Sequence, residues 1–247
     1  MSIVVPAVLP ASREELEEKL TLFTRIPSVS RIQIDVVDER FAPHASWPYT
    51  DSAGSPQAAQ EEFQDMVERG KMLPSLDRIE YEIDLMCFDA LIVAQSWLTL
   101  GASRLTFHTE SAIDFPEFLA SARKRYGTGD GFASGLVSFG LALNIDSSFA
   151  HIKPCIEEVN YVQFMGIAKI GRQGEPFDER VLKKIETFHK MYPAMPIQVD
   201  GGVSLQNAKK LLALDVSRII VGSALTRARD PMKAFAAFEA LQNPYSV

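Results

Sequence analysis

Cysteine is scarce in this chain, and what there is carries no pattern. Cys87 and Cys155 are its two cysteines in 247 residues, far apart and in no CxxC or Cys/His cluster. One disulfide is arithmetically open, but the spacing reads as two buried thiols in a reducing compartment. Long apolar runs are missing as well, and no window approaches the roughly 18 residues of a membrane span. The stretch Ile3–Leu9 is short, has no basic leader and is interrupted by Pro6, so no secretory signal is expected. Positive charge is in deficit, with 25 Lys and Arg against 32 Asp and Glu and a formal net charge of -7. Nucleic acid, which needs a basic footprint, is thereby excluded as a partner. A small anion is not, because a nest of backbone N–H groups holds phosphate whatever the net charge. There is no GxGxxG after the first apolar run and no GxxxxGK[ST], which removes the open-sheet nucleotide binders. Neither an internal repeat nor a low-complexity tract interrupts the chain. A cytoplasmic protein without membrane or nucleic-acid partners is expected, and self-association into a homo-oligomer is left open.

What the chain does contain is an alternation of short apolar runs and longer amphipathic stretches, 47% of its residues being apolar. Strands are expected over 3–9, 31–37, 79–87, 103–107, 138–143, 161–167, 196–199 and 218–221. Helices are expected over 12–25, 57–73, 90–100, 114–125, 178–191, 204–214 and from about 230, with a short one after the fifth strand and a Gly-rich loop over 127–137. Short apolar strands in strict alternation with helices imply a parallel sheet covered on both faces. Eight such units in this length favour a closed (β/α)8 TIM barrel, with residues 1–247 as one domain.

In such a barrel the chemistry gathers where the strands end at their C-terminal side. The polar residues that interrupt apolar strands there are Gln33, Asp35, Asp84, His108, Asn144 and Asp200. Gln33 and Asp35 are two apart and share one side of their strand. A carboxylate buried there costs several kcal/mol, to an order of magnitude, unless a cation or a shared proton offsets it. A second signal is VDGGV (Val199–Val203) followed by VGSAL (Val221–Leu225). These strand-to-helix turns place glycine where backbone approaches a ligand, at the two loops that commonly form a barrel's phosphate site. Lys169 and Arg172 stand beside that site as solvated loop charges or as clamps on the anion.

The run IQIDVVDERFAPH resembles the second strand and loop of the ribulose-phosphate 3-epimerase family. IDLMCFD, LGASRLTFHTES, LALNIDSS, VQFMGIAKIGRQGEPF, VDGGV and VGSAL are similar to its later segments, so that the likeness spans about residues 3–225. The resemblance implies a ribulose-phosphate-binding barrel that epimerises a ketose phosphate by proton transfer through an enediolate, steadied by a divalent metal. It puts the acid/base pair on Asp35 and Asp200, and the metal on Gln33, Asp35, Asp84 and Asp200. Gly174, Gly201, Gly202, Gly222 and Ser223 fall on its phosphate cradle, and Met86, Met165, His108 and Asn144 on the substrate lining. Two departures are central, since the family's metal-binding histidines are replaced by Gln33 and Asp84. An amide oxygen with three carboxylates is a hard, all-oxygen set, suited to Mg2+ or Mn2+ rather than Zn2+. The alternative is a re-purposed, non-catalytic relative that still binds a small phosphorylated sugar but has lost the usual metal site.

Overall fold

The computed structural model describes residues 3–127 and 136–241. Eight strands appear in chain order: β1 (Ile3–Val8), β2 (Arg31–Val37), β3 (Glu80–Met86), β4 (Arg104–His108), β5 (Ser138–Leu143), β6 (Tyr161–Met165), β7 (Ile197–Asp200) and β8 (Arg218–Val221). All pair in parallel, and β8 returns to β1, closing the (β/α)8 barrel. Helices lie between them: α1 (Arg13–Thr24), α2 (Pro56–Glu68), α3 (Ala90–Thr99), α4 (Phe115–Tyr126), α5 (Arg180–Met191) and α6 (Leu205–Ala213). After β8 come the one-turn α7 (Ser223–Thr226) and then α8 (Pro231–Ala240).

Several helix starts follow directly from side-chain chemistry. The Ser12 hydroxyl accepts from the Glu15 N–H, Ser55 and Asp230 do the same ahead of Pro56 and Pro231, and Ser204 and Asn207 form a reciprocal capping box. Two expectations fail locally. The second helix ends near Arg69 rather than Leu73, because Gly70 takes a positive φ of 60° that stops it. The segment after β5 forms two 3-10 turns (Phe149–His151 and Ile156–Glu158) instead of an α-helix. Pro154 interrupts it, and Lys184 ties its start by donating to the carbonyls of Asn144, Ile145 and Ser147. Of the loop expected over 127–137, residues 128–135 lie outside the described part of the chain.

The strands present two different faces. Ile32, Ile34 and Val36 of β2 and Tyr81, Ile83 and Leu85 of β3 join the main apolar core between sheet and helices. The alternate residues point into the barrel, where apolar side chains are fewer, among them Val5, Ala7 and Ile220, a small cluster of Val37, Ala42 and Met86, and Ala142, Tyr161 and Met165. The rest of the interior is polar: Arg31, Gln33 and Asp35 on β2, Glu82 and Asp84 on β3, Arg104, Thr106 and His108 on β4, Gln163 on β6, Gln198 and Asp200 on β7. Barrel interiors are more commonly filled by layers of branched apolar side chains. Here hydrogen bonding takes over that role, and every polar group inside needs a partner.

Residues 38–55 form the long connection after β2. It is pinned by Trp47, which is fully buried between Phe63 of α2 and Trp97 of α3, with ring centroids 5.1 and 5.8 Å away. The neighbouring Ser46 hydroxyl accepts from the Val37 N–H at 2.9 Å and donates to the carbonyl of Asp35 at 3.0 Å.

Candidate functional site

Strand register assembles the site. Asp35 pairs with Asp84 across β2 and β3, and Met165 with Asp200 across β6 and β7, so these side chains leave the sheet at the C-terminal end of the barrel. Asp35, Asp84 and Asp200 are all buried, and each offers an oxygen within 4.8 Å of the others. Gln33 bridges two of them, its Nε2 donating to Asp35 Oδ1 and to Asp200 Oδ2 at 2.8 Å each. The third is held from behind, with Asp84 Oδ1 on His108 Nε2 at 3.0 Å and Oδ2 accepting from Gln163 Nε2 at 2.9 Å.

No Lys or Arg among the described residues forms an ion pair with these three acids. Burial and the neighbouring charges therefore work against ionisation. Asp35 is held well above the usual carboxylate range, first by desolvation and then by Asp200 and Asp84. Asp200 is pushed up to about 7, by desolvation and then by Asp84, against the opposing hydrogen bond from Gln33. Near neutral pH such a pair holds a proton between its members, which makes one an acid and the other a base.

A cleft of about 500 Å3, counted out to its mouth, runs from this pair to the glycine turns. Asp35, Asp200, Met86 and Met165 line one end, and Gly174, Gly201, Gly202, Gly222 and Ser223 the other, beside Arg172 and Gln173. Gly201 and Gly202 have φ of 102° and 65°, and a Cβ on Gly202 would lie 2.7 Å from the Phe177 backbone. Glycine takes that turn without strain, and the turn is held by Asn207 Nδ2, which donates to the Gly202 carbonyl at 2.9 Å. Gly222 and Ser223 open α7, the short extra helix after β8.

Gln33 lies within the site, whereas His108 and Asn144 lie outside the cleft's lining. Gln33 turns its amide nitrogen toward the carboxylates, because that is the group complementary to acceptors. It bridges the acids, and its Oε1 is buried without a partner among the described residues. His108 is fully buried behind Asp84, with its ring edge-on to Phe41 at 5.4 Å, and does not reach the cleft. Asn144 sits over the β5 end, where its backbone meets Glu110 and Lys184. Gln163, which fixes Asp84, is a residue that sequence reasoning misses. A signal for it exists: it stands two before Met165, as Gln33 stands two before Asp35.

The donor set suits a divalent cation. Three buried carboxylates converge with no Lys or Arg paired to them among the described residues, and beside them stands the His108 imidazole, which desolvation opposes but Asp84 favours in its charged form. An M2+ ion would remove the repulsion that still raises Asp35 and Asp200.

The chain matches the profile of the "Ribulose-phosphate 3 epimerase family" over residues 64–226. That span includes Asp84, Asp200 and the glycine turns, while Gln33 and Asp35 precede it. It is 23% identical over 229 residues to the ribulose-phosphate 3-epimerase of Schizosaccharomyces pombe, covering 92% of this chain and 88% of the relative. To the chloroplastic ribulose-5-phosphate-3-epimerase of Arabidopsis thaliana it is 24% identical over 250 residues, covering 99% of this chain and 79% of the relative. Among solved structures, KGPDC from Streptococcus mutans superposes with a TM-score of 0.66 at 17% identity, covering 98% of this chain and 97% of that one. At that identity the likeness speaks for the fold.

Proposed function

The chain belongs to the ribulose-phosphate 3-epimerase family, and from that premise we propose that it epimerises a ketose phosphate, with Asp35 and Asp200 as the acid/base pair. The observation that carries this is the shared Gln33 bridge between two buried carboxylates at one end of a cleft whose other end is a glycine cradle.

The phosphate sits against the glycine turns at Gly201, Gly202 and Gly222, with Gly174 and Ser223 beside it, and this fixes the distance from the anchored end to the carboxylates. The carbon next to the ketone then lies between Asp35 and Asp200. The ionised member takes its proton, the C–H electron pair becomes the C=C bond of the enediolate, and the carbonyl oxygen takes up the negative charge. The protonated member returns a proton to the opposite face, which inverts that carbon. Met86 and Met165, both buried at the acid end, keep water from the planar intermediate. Asp35, Asp84 and Asp200 would hold a divalent metal, Mg2+ or Mn2+ in preference to Zn2+ because all the donors are oxygen. When bound, that ion supplies positive charge against the enediolate oxygens. Gln163 and His108 keep Asp84 oriented for this purpose.

The test is proton exchange. Ribulose 5-phosphate is incubated with the protein in D2O, with EDTA or with Mg2+, Mn2+ or Zn2+, and the C3 proton is followed by NMR. Deuterium uptake with formation of xylulose 5-phosphate is expected, and Asp35→Asn and Asp200→Asn should each lose about 10^3-fold in rate. Protein that binds the sugar phosphate but shows no exchange under any condition would overturn the epimerase reading and leave a binding relative.

A further inference from the structure

The N-terminal mouth of the barrel, opposite the cleft, carries an arrangement that the proposed chemistry does not use. Arg31, Arg104 and Arg218 open β2, β4 and β8 at that end. Arg31 and Arg104 are 8% and 7% exposed, and Arg218 is half-buried. Two carboxylates face the three guanidinium groups, and their bonds are accounted for. Glu80 takes Nε and Nη2 of Arg31 on one oxygen. Glu82 takes Arg104 Nε at 3.2 Å on one oxygen, and Thr106 and Gln198 on the other. Four guanidinium nitrogens remain buried with no acceptor among the described residues: Arg31 Nη1, Arg104 Nη2, and Arg218 Nε and Nη1.

The groups are close together. The ring of Tyr161 lies under the guanidinium carbons of Arg104 at 4.2 Å and Arg218 at 5.7 Å. Burial, and after it the charges of Arg104 and Arg31, lower Arg218 to about 10. Three cations against two carboxylates leave one unit of positive charge among buried groups, where unpaired charge and unpaired donors are both costly. Guanidinium groups hold their donors in a planar fork, which matches the oxygen spacing of a tetrahedral oxyanion. We propose that the arginine trio at the N-terminal mouth is a binding site for a small oxyanion of the phosphate type, separate from the glycine cradle at the other end.

Inorganic phosphate is the probe, and the upper cradle is disabled by Ser223→Asp, which places a carboxylate at its edge. In that protein, phosphate should raise the melting temperature saturably, whereas chloride at equal ionic strength should not. Adding Arg218→Gln should abolish the rise, and Arg218→Lys, which keeps the charge without the fork, should shift the phosphate midpoint at least tenfold upward. The Lys variant also keeps the test open should the Gln variant fail to fold. A rise that survives in Ser223→Asp/Arg218→Gln, or that chloride reproduces, overturns the site. Arg218→Gln with Ser223 intact reports on the upper cradle alone, so the two sites fail separately.

Discussion

Gln33 shows what one residue does to this site. A histidine there would offer a ring nitrogen to a metal. The amide instead offers two N–H donors, and both go to carboxylates. The proposed acid/base pair is thus organised by two hydrogen bonds, and the carboxylates that could hold a metal are three. Restoring the imidazole tests this directly. Gln33→His should raise Zn2+ affinity relative to Mn2+ by at least tenfold in a competition with a metal-binding dye, because a nitrogen donor joins an all-oxygen set. An unchanged ratio would mean that position 33 does not face the ion. At this scale the sequence was partly legible. Asp35, Asp84 and Asp200 stood out because acids interrupt apolar strands. Which atom of Gln33 faces the acids depends on what surrounds it, and no spacing encodes that.

Among the elements, the strands were easiest to find, since short β-branched runs bounded by polar turns leave few alternatives. The connections were harder. Residues 144–160 have the length and apolar content of a helix, but the Lys184 bonds that fix their start come from a segment forty residues away. The length of the loop after β2 follows from the gap between the expected strand 31–37 and helix 57–73, whereas its Trp47 anchor does not, because burial of a loop tryptophan depends on the helices it lands between. That anchor bears on the site, as Ser46 beside it holds the carbonyl of Asp35. Trp47→Ala should cost about 3–5 kcal/mol in urea unfolding, the usual range for emptying a buried aromatic position. A cost below about 1 kcal/mol would show that the loop is not fastened there.

For the molecule as a whole, the acid pair makes stability depend on pH. Asp200 keeps its proton up to about pH 7 in the folded chain, while an ordinary aspartate releases it near 3.8. Between these values the folded state binds more protons than the unfolded one, so stability is full at the acid end and declines as pH rises through about 7. In EDTA the melting temperature should therefore fall from pH 5 to pH 8, and Asp200→Asn should flatten that slope. Mn2+ should raise the melting temperature more at pH 8 than at pH 5, since metal and proton compete for the same oxygens. A metal-free curve that climbs over this window would contradict the raised value for Asp200. The closed barrel itself was legible from eight alternating units, but its polar interior was less so. Glu82, Gln163 and Gln198 each stand two residues before a site residue, and that period of two is visible only once the inward face of each strand is known.

The barrel interior also decides where protons travel. Asp84 accepts from Gln163, whose oxygen accepts from Gln198, whose nitrogen also reaches Glu82 and, through it, Arg104 at the far mouth. The two links between the acidic and the basic end are amides, which neither gain nor lose a proton near neutral pH. The column therefore joins the ends mechanically while insulating them from each other as acids and bases. Hydrogen isotope from solvent is therefore expected to reach Asp35 and Asp200 from the cleft they line and not from the far mouth.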